Sequence, residues 1–280
     1  MLGIKNLVKK YDKVLAVDNL NLEINEGEFF GLLGPNGAGK STTIRMISTL
    51  TPPTSGRIMI NDISMDRNLT EIKRKIGVVP QGINLEVEMT AFENLELHGR
   101  LYNIPKNIRR QKIKDLLNFT ELYDKKDLIV KGFSGGMKRK LMIARALIHN
   151  PSLLLLDEPT VGLDATSRRK LWDMLRTLKS SGLTAILTTH YIEEAEVLCD
   201  RVGLIDKGRL INLDTPKNLI SYVGNFTVEY FESKETKSKF FRTREEASEF
   251  AKSLKESVNI RPSNLEDVFI KLTTRKVDSK

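Results

Sequence analysis

Apolar and polar positions alternate with period two over Leu20-Asn21-Leu22-Glu23-Ile24, which predicts a half-buried strand. Asn25-Glu26-Gly27-Glu28 forms a turn, and Phe29-Phe30-Gly31-Leu32-Leu33 is a continuous apolar run suited to a buried strand. A glycine-rich stretch follows, then a helical pattern from Thr42 to Leu50 that Thr51-Pro52-Pro53-Thr54-Ser55-Gly56 breaks. Arg57–Ile63 and Lys75–Val79 read as further strands. From Thr90 to Asn150 the period becomes helical, with Lys/Arg-rich polar faces punctuated by Pro105 and Gly132. That block is expected to be a helical insertion.

Strand signals return at Ser152–Leu156 and Leu183–Thr189, with an amphipathic helix at Thr166–Ser180 between them. Ile192–Leu198 reads as helix, and Val202–Ile205 with Arg209–Leu213 as a hairpin about Asp206-Lys207-Gly208. Strands alternating with helices predict an α/β fold with a mainly parallel core sheet. After Ser221 come two short strands, Phe226–Phe231 and Lys239–Thr243, and a helix over Arg244–Glu256. A last helix spans Asn264–Thr273, with Asn264 as its cap and Glu266 and Asp267 favourable in its first turn. The division expected is a main domain over 1–220, helical about 90–150, and a small α/β appendage over 221–280. A unit of ~60 residues seldom folds well alone, so it should dock on the main domain or on a copy of it.

Composition narrows the class. A chain of 280 residues with 40% hydrophobic content can bury a self-sufficient core without staples. The single cysteine, Cys199, cannot form an intramolecular disulfide, which fits a reducing cytoplasm. The first residues lack an apolar signal region. The longest apolar runs, Leu153–Leu156 and Ala185–Leu187, fall far short of the ~18 residues of a membrane span. A mean hydropathy of −0.27 predicts a water-soluble chain. The net charge of +9 admits nucleic acid, an anionic membrane surface or a phosphorylated ligand, and does not choose among them.

The chemistry lies in two motifs. Gly34-Pro35-Asn36-Gly37-Ala38-Gly39-Lys40-Ser41 matches G-x-x-x-x-G-K-[ST] between a predicted strand and a predicted helix, the context that pattern requires. Glycines let backbone N–H groups curl around phosphates, and the helix N-terminus adds partial positive charge. Lys40 would reach the terminal phosphates, and Ser41 would place its hydroxyl on Mg²⁺. The second motif is the strand Leu153–Leu156 ending in Asp157-Glu158, at the carboxyl edge where open α/β sheets bind ligands. Asp157 suits Mg²⁺, and Glu158 could polarise an attacking water.

Together with Ser134-Gly135-Gly136, Asp157-Glu158-Pro159-Thr160, Gly162-Leu163-Asp164 and His190, these motifs resemble ATP-binding-cassette (ABC) ATPases in order and approximate spacing, over residues 1 to 220. The resemblance implies a P-loop cassette with an N-terminal antiparallel β subdomain, and ATP with Mg²⁺ as cofactors. It places the nucleotide phosphates on the 34–41 loop and Thr42, and the adenine against Tyr11. It makes Glu158 the general base, His190 the contact to the γ-phosphate, and Gln81 the residue that touches Mg²⁺ or water and senses a transmembrane partner; Ser41 and Asp157 complete the metal set. It also implies that Ser134, Gly135 and Gly136 bind ATP held by a second copy, with Asp164 at the seam. One chain would then carry half of each site, as a homodimer with ATP.

Departures from the family pattern sharpen the expectation. Met137 stands where glutamine is usual and cannot hydrogen-bond as glutamine does, whereas Phe133 for leucine preserves packing. Val161 replaces a more common serine. Phe-Ser-Gly-Gly-Met-Lys-Arg-Lys and the terminal Asn264–Ile270 segment resemble the drug-resistance and sodium-efflux exporter branch, whose cassettes dock on a separate transmembrane permease subunit at the inner face of the cell membrane. The alternative weighed, a soluble ABC ATPase acting on nucleic acid or ribosomes, commonly needs two fused cassettes or a coiled-coil insertion; no specific nucleic acid is expected. Lys138-Arg139-Lys140 and Arg168-Arg169-Lys170 read as solvated helix faces, and His98 and His149 as structural. The transported substrate is not legible.

Overall fold

A computed structural model describes residues 1–61, 63–65, 69–232, 235–254 and 257–274 of the chain. The chain opens with β1 (Leu2–Tyr11), β2 (Val14–Ile24) and β3 (Phe29–Leu33), and α1 (Lys40–Ile47) follows the glycine-rich loop. Next come β4 (Ser55–Ile60), β5 (Ile63–Ser64), α2 (Leu69–Lys75) and β6 (Ile76–Val79). The helical block holds α3 (Ala91–Leu101), α4 (Lys106–Phe119) and α5 (Gly135–Leu147). It leads to β7 (Leu153–Asp157), α6 (Ala165–Ser180), β8 (Thr184–Thr189) and α7 (Ile192–Leu198). The hairpin β9 (Arg201–Asp206) and β10 (Arg209–Asp214) precedes α8 (Pro216–Val223). Then follow β11 (Phe226–Glu232), β12 (Glu235–Phe241), α9 (Arg244–Lys252), β13 (Val258–Pro262) and α10 (Leu265–Thr274).

Six strands form the central sheet in the order β10-β9-β3-β8-β7-β6, all parallel except the edge strand β10. Its inner strands are buried along their whole length because both faces are covered. Phe29, Leu33, Leu154, Leu156 and Leu187 face the helical core, and Phe30, Leu32, Leu153, Leu155 and Ile186 face the core shared with α1 and the antiparallel sheet. That sheet runs β2-β1-β4-β5. Parallel pairing brings the carboxyl ends of β3, β6, β7 and β8 to one edge, and with them Gly34, Gln81, Glu158 and His190. The helical block enters between the neighbouring strands β6 and β7, as the insertion pattern predicts.

The small third sheet, β12-β11-β13, is tied to the main body through α10. Leu265 and Val268 join the helical core, the Leu265 amide donates to Glu196 Oε1 of α7 at 2.8 Å, and Lys271 Nζ donates to Val223 O at 2.8 Å. Asn264 caps α10 as expected, its Oδ1 accepting from the amides of Glu266 and Asp267 at 3.0 and 3.2 Å.

Several elements escape the sequence pattern. β1 is hidden because Asn6 takes φ +49° and the pairing slips between Ile4 and Leu7, which breaks the period of two. α2, α8 and β13 are short, although α8 announces itself through Thr215, which caps Asn218 N, and Pro216 at its first turn. Of the expected elements, Asp62, Lys255 and Glu256 lie outside the described residues. One charge reading is corrected: Arg139 is not solvated but only 3% exposed. It shares a helical stripe with Met142, Ile143 and Ala146, all buried, so the apolar face of α5 takes it inside.

Candidate nucleotide site

The 34–39 loop is held by backbone contacts that only glycine permits at two points. A Cβ at Gly34 would lie 2.1 Å from Ile205 O, and one at Gly39, where φ is +106°, would lie 2.4 Å from Ala16 O. Gly39 is the cap of α1, so the helix begins at Lys40 rather than Thr42 and its first amides face the loop. Lys40 folds over that loop, its Nζ donating to Gly34 O at 2.7 Å and Pro35 O at 3.0 Å. Burial lowers the Lys40 pKa, and the charges of Glu158 and Asp157 oppose that shift.

Two carboxylates complete the cleft. Asp157 Oδ1 accepts from Ser41 Oγ at 3.0 Å and from Thr188 Oγ1 at 2.6 Å, which joins the glycine-rich loop to β7 and β8. Glu158 takes the left-handed conformation, φ +48°, and its amide donates to Thr188 O at 3.0 Å. A non-glycine residue held in that conformation is strained, and such strain gathers at functional sites. Glu158 Oε2 receives the Gln81 Nε2 donor at 3.1 Å and lies 3.3 Å from His190 Nδ1. A cleft of about 450 Å³ is lined by Ala16, Asn36, Gly37, the Gly39–Thr42 run, Gln81, Glu158, Val161 and His190. A larger hollow of about 660 Å³ opens beside it between the loop, α7 and α10. That hollow is mainly apolar and lacks Lys40, Ser41 and Glu158, so the smaller cleft holds the phosphate chemistry.

Other expected residues fall elsewhere. Ser134 caps α5 by accepting from Met137 N at 3.3 Å, and Asp164 caps α6 by accepting from Ser167 N at 2.9 Å and Ser167 Oγ at 2.6 Å. The Ser167 hydroxyl holds the Asp164 carboxyl below the ordinary aspartate range. These two caps are neighbours: a Cβ on Gly136 would touch Ser167, and one on Gly135 would touch Leu163. Neither cap lines the nucleotide cleft. Phe133 is buried in the core, as expected for an apolar replacement, and Lys125 Nζ approaches Met137 Sδ at 3.7 Å. Tyr11 ends β1, 41% exposed, beneath the Lys9 ammonium; from that sheet it is Ala16 that lines the cleft.

The sequence reading missed three residues around this edge. Thr188 organises both carboxylates. Arg139 Nη1 and Nη2 donate to Pro80 O at 2.8 Å and Gln81 O at 2.9 Å. Glu194 on α7 is fully buried and accepts from Trp172 Nε1 at 3.1 Å, and its burial pushes the carboxyl pKa up. Its place beside Ala195 and Leu198 on the buried face of α7 was the available signal.

The fold and cleft define a P-loop nucleotide cassette. The family model described as "ABC transporter" matches residues 17–161. Nod factor export ATP-binding protein I of Cupriavidus metallidurans is 40% identical over 298 residues, covering 99% of this chain and 98% of that protein. Linearmycin resistance ATP-binding protein LnrL of Bacillus subtilis is 42% identical over 228 residues, covering 81% of this chain and 73% of that protein. Among solved structures, the dimeric cassette MJ0796 in a post-hydrolysis state with ADP and Pi superposes with TM-score 0.70 at 34% identity, covering 77% of this chain and 98% of that one. An ATP-binding subunit of an ABC transporter superposes with TM-score 0.75 at 26% identity, covering 98% and 99%. The chain belongs to the ABC transporter family, as an ATP-binding, ATP-hydrolysing subunit of dimeric type.

Proposed function

We propose that this subunit powers export through a separate membrane-spanning partner, closing head to tail with a second copy on two ATP molecules and reopening after hydrolysis. The observation that carries the reading is the division of the site. Lys40, Ser41, Gln81, Glu158 and His190 converge on one cleft with Asp157 hydrogen-bonded behind Ser41, whereas the Ser134 and Asp164 caps form a separate surface of the same chain. A helix N-terminus opened by Ser134-Gly135-Gly136 suits an anion that its own chain does not present. A second copy supplies that anion, the γ-phosphate.

Within the cleft, Glu158 takes the proton of the attacking water, Gln81 orients it, and His190 fixes the carboxylate and faces the γ-phosphate. Lys40 neutralises charge on the phosphates. Ser41 and Asp157 offer hard oxygen donors 3.0 Å apart, a donor set that fits Mg²⁺. An Mg²⁺ ion held by Ser41 and Asp157 would supply positive charge against the phosphates. Tyr11 is the candidate for the adenine face.

The membrane partner has a candidate landing surface. Ile83, Val87, Met89, Leu128 and Ile129 are exposed apolar residues, and the 87–91 segment pairs with 128–131 through backbone bonds beside the Gln81 loop. Such a patch suits apolar side chains from a partner that spans the membrane. Among the described residues no helix is long and apolar enough to cross a membrane itself. The first relatives' names point to export of a Nod factor and resistance to linearmycin, which supports an outward direction. Co-expression with a membrane-spanning permease subunit of this family tests this reading: the two should purify together, and Val87→Asp with Ile129→Asp should release the subunit while leaving ATP binding intact. Retention of the doubly substituted chain would contradict the landing surface, and salt-sensitive RNA or DNA binding without a membrane partner would contradict the transport role.

A further inference from the structure

We propose that Arg139 is a positioning residue for hydrolysis: its guanidinium ties the helix that begins at Ser134 to the backbone that presents Gln81, so that the two move as one piece. The proposal rests on the reading of Glu158 as base and Gln81 as its partner. Helix α5 carries Arg139 five residues beyond its Ser134 cap. From there Nη1 and Nη2 donate separately to Pro80 O at 2.8 Å and Gln81 O at 2.9 Å, the two carbonyls just past the end of β6. The Gln81 side chain then reaches Glu158 Oε2 at 3.1 Å. A chain of three hydrogen bonds therefore runs from the helix meant for the second copy's ATP to the carboxylate of the cleft.

The chemistry of the guanidinium explains why arginine stands here. Its planar fork spans two acceptors at once, whereas a lysine ammonium is a point charge on a flexible stem. Removing a guanidinium from water is costly, and an apolar residue at the same helix position would avoid that cost. The counter-charge is Glu194, fully buried on α7 four residues beyond His190, whose negative charge acts on Arg139 against the cost of burial. Arg139 thus stands between the elements that carry Ser134, Gln81 and His190. When the second copy's nucleotide pulls on Ser134, the displacement passes through Arg139 to the Gln81 backbone, and Gln81 is seated against Glu158. An error of about 1 Å in such a seat can cost about 100-fold in rate.

The test is a kinetic cycle with the full chain and its membrane partner. Arg139→Lys keeps the buried positive charge opposite Glu194 but cannot hold both carbonyls. It should lower kcat by about 10-fold and leave KM for ATP within about twofold, because the 34–42 loop is untouched. In a Gln81→Ala background the same substitution should change kcat by less than about twofold, since its route of action is already gone. A role in fold stability alone would instead give losses that multiply. If Arg139→Lys retains full kcat, or if the two losses multiply, the Arg139 link is overturned while Gln81 keeps its role. If Gln81→Ala itself turns over at the wild-type rate, the reading of Gln81 falls and the link with it. Should Arg139→Lys fold poorly, Arg139→Gln combined with Glu194→Gln removes both buried charges together and enters the same cycle.

Discussion

Gln81 donates its side-chain amide to Glu158 Oε2 at 3.1 Å, across 77 residues of sequence and from the end of one strand to the end of its neighbour. The contact exists because β6 and β7 pair in parallel, Val79 opposite Leu156, so that the residues just beyond them leave the sheet side by side. Glu158→Gln removes the base while keeping the size of the side chain. ATP turnover should fall by about 100-fold or more, with nucleotide affinity within a few-fold of wild type. Steady-state phosphate release and a nucleotide titration measure the two quantities.

Lys40 is predicted to leave a signature on the alkaline side. Its pKa is lowered in the folded state, chiefly by burial, so between that value and its ordinary 10.5 the unfolded chain binds the proton that the folded chain has given up. Folding is then favoured as pH rises. The stability of wild type minus that of Lys40→Met should increase with pH toward 10.5 and level off there, measured by thermal melts. Lys40→Met should also lose ATP binding, since the phosphates lose their ammonium.

On the acidic side the clamp between α3 and α4 should dominate. The Arg109 guanidinium beside Glu96 lowers that carboxyl to about 2, with Arg100 as a second partner. Glu96 therefore contributes stability at pH values above the ordinary glutamate range, and the contribution is lost as pH falls toward 2. Glu96→Gln should cost about 1–2 kcal/mol at neutral pH, with the difference from wild type closing in acid. Urea melts at pH 7 and pH 3 give the comparison.

The glycine loop offers a contrast between two neighbours. Gly39→Ala would drive its Cβ into Ala16 O at φ +106°, and should destabilise the fold by about 3 kcal/mol or more. Gly37 at φ +79° has open space around its Cβ, so Gly37→Ala should cost only about 1–2 kcal/mol of left-handed strain. Melting temperatures of the two variants rank them.

The parts of this site that could be read from sequence are those where chemistry is local. The glycines, Lys40 and Ser41 lie within eight residues because one turn must wrap one phosphate group, and Asp157-Glu158 lies at a strand end because strand pairing delivers it there. Arg139 was misread because a run of three basic residues suggests solvent, while the stripe it shares with Met142 and Ile143 suggests the core. The stripe prevailed because two backbone carbonyls and Glu194 wait inside. Thr188 carries no motif; its importance lies in three strands meeting at one edge. β1 stayed hidden for a local reason, the break at Asn6, where a left-handed residue interrupts the alternation.

The central claim is that each nucleotide is completed by a second copy through the Ser134 turn. Sedimentation of the Glu158→Gln chain with ATP tests it most directly, compared with the same chain also carrying Ser134→Arg. ATP should convert the 31.8 kDa Glu158→Gln chain to a dimer, and adding Ser134→Arg should abolish the dimer while one ATP still binds each monomer. A dimer that persists with arginine at position 134, or ATP binding that disappears with it, would contradict a site shared between copies.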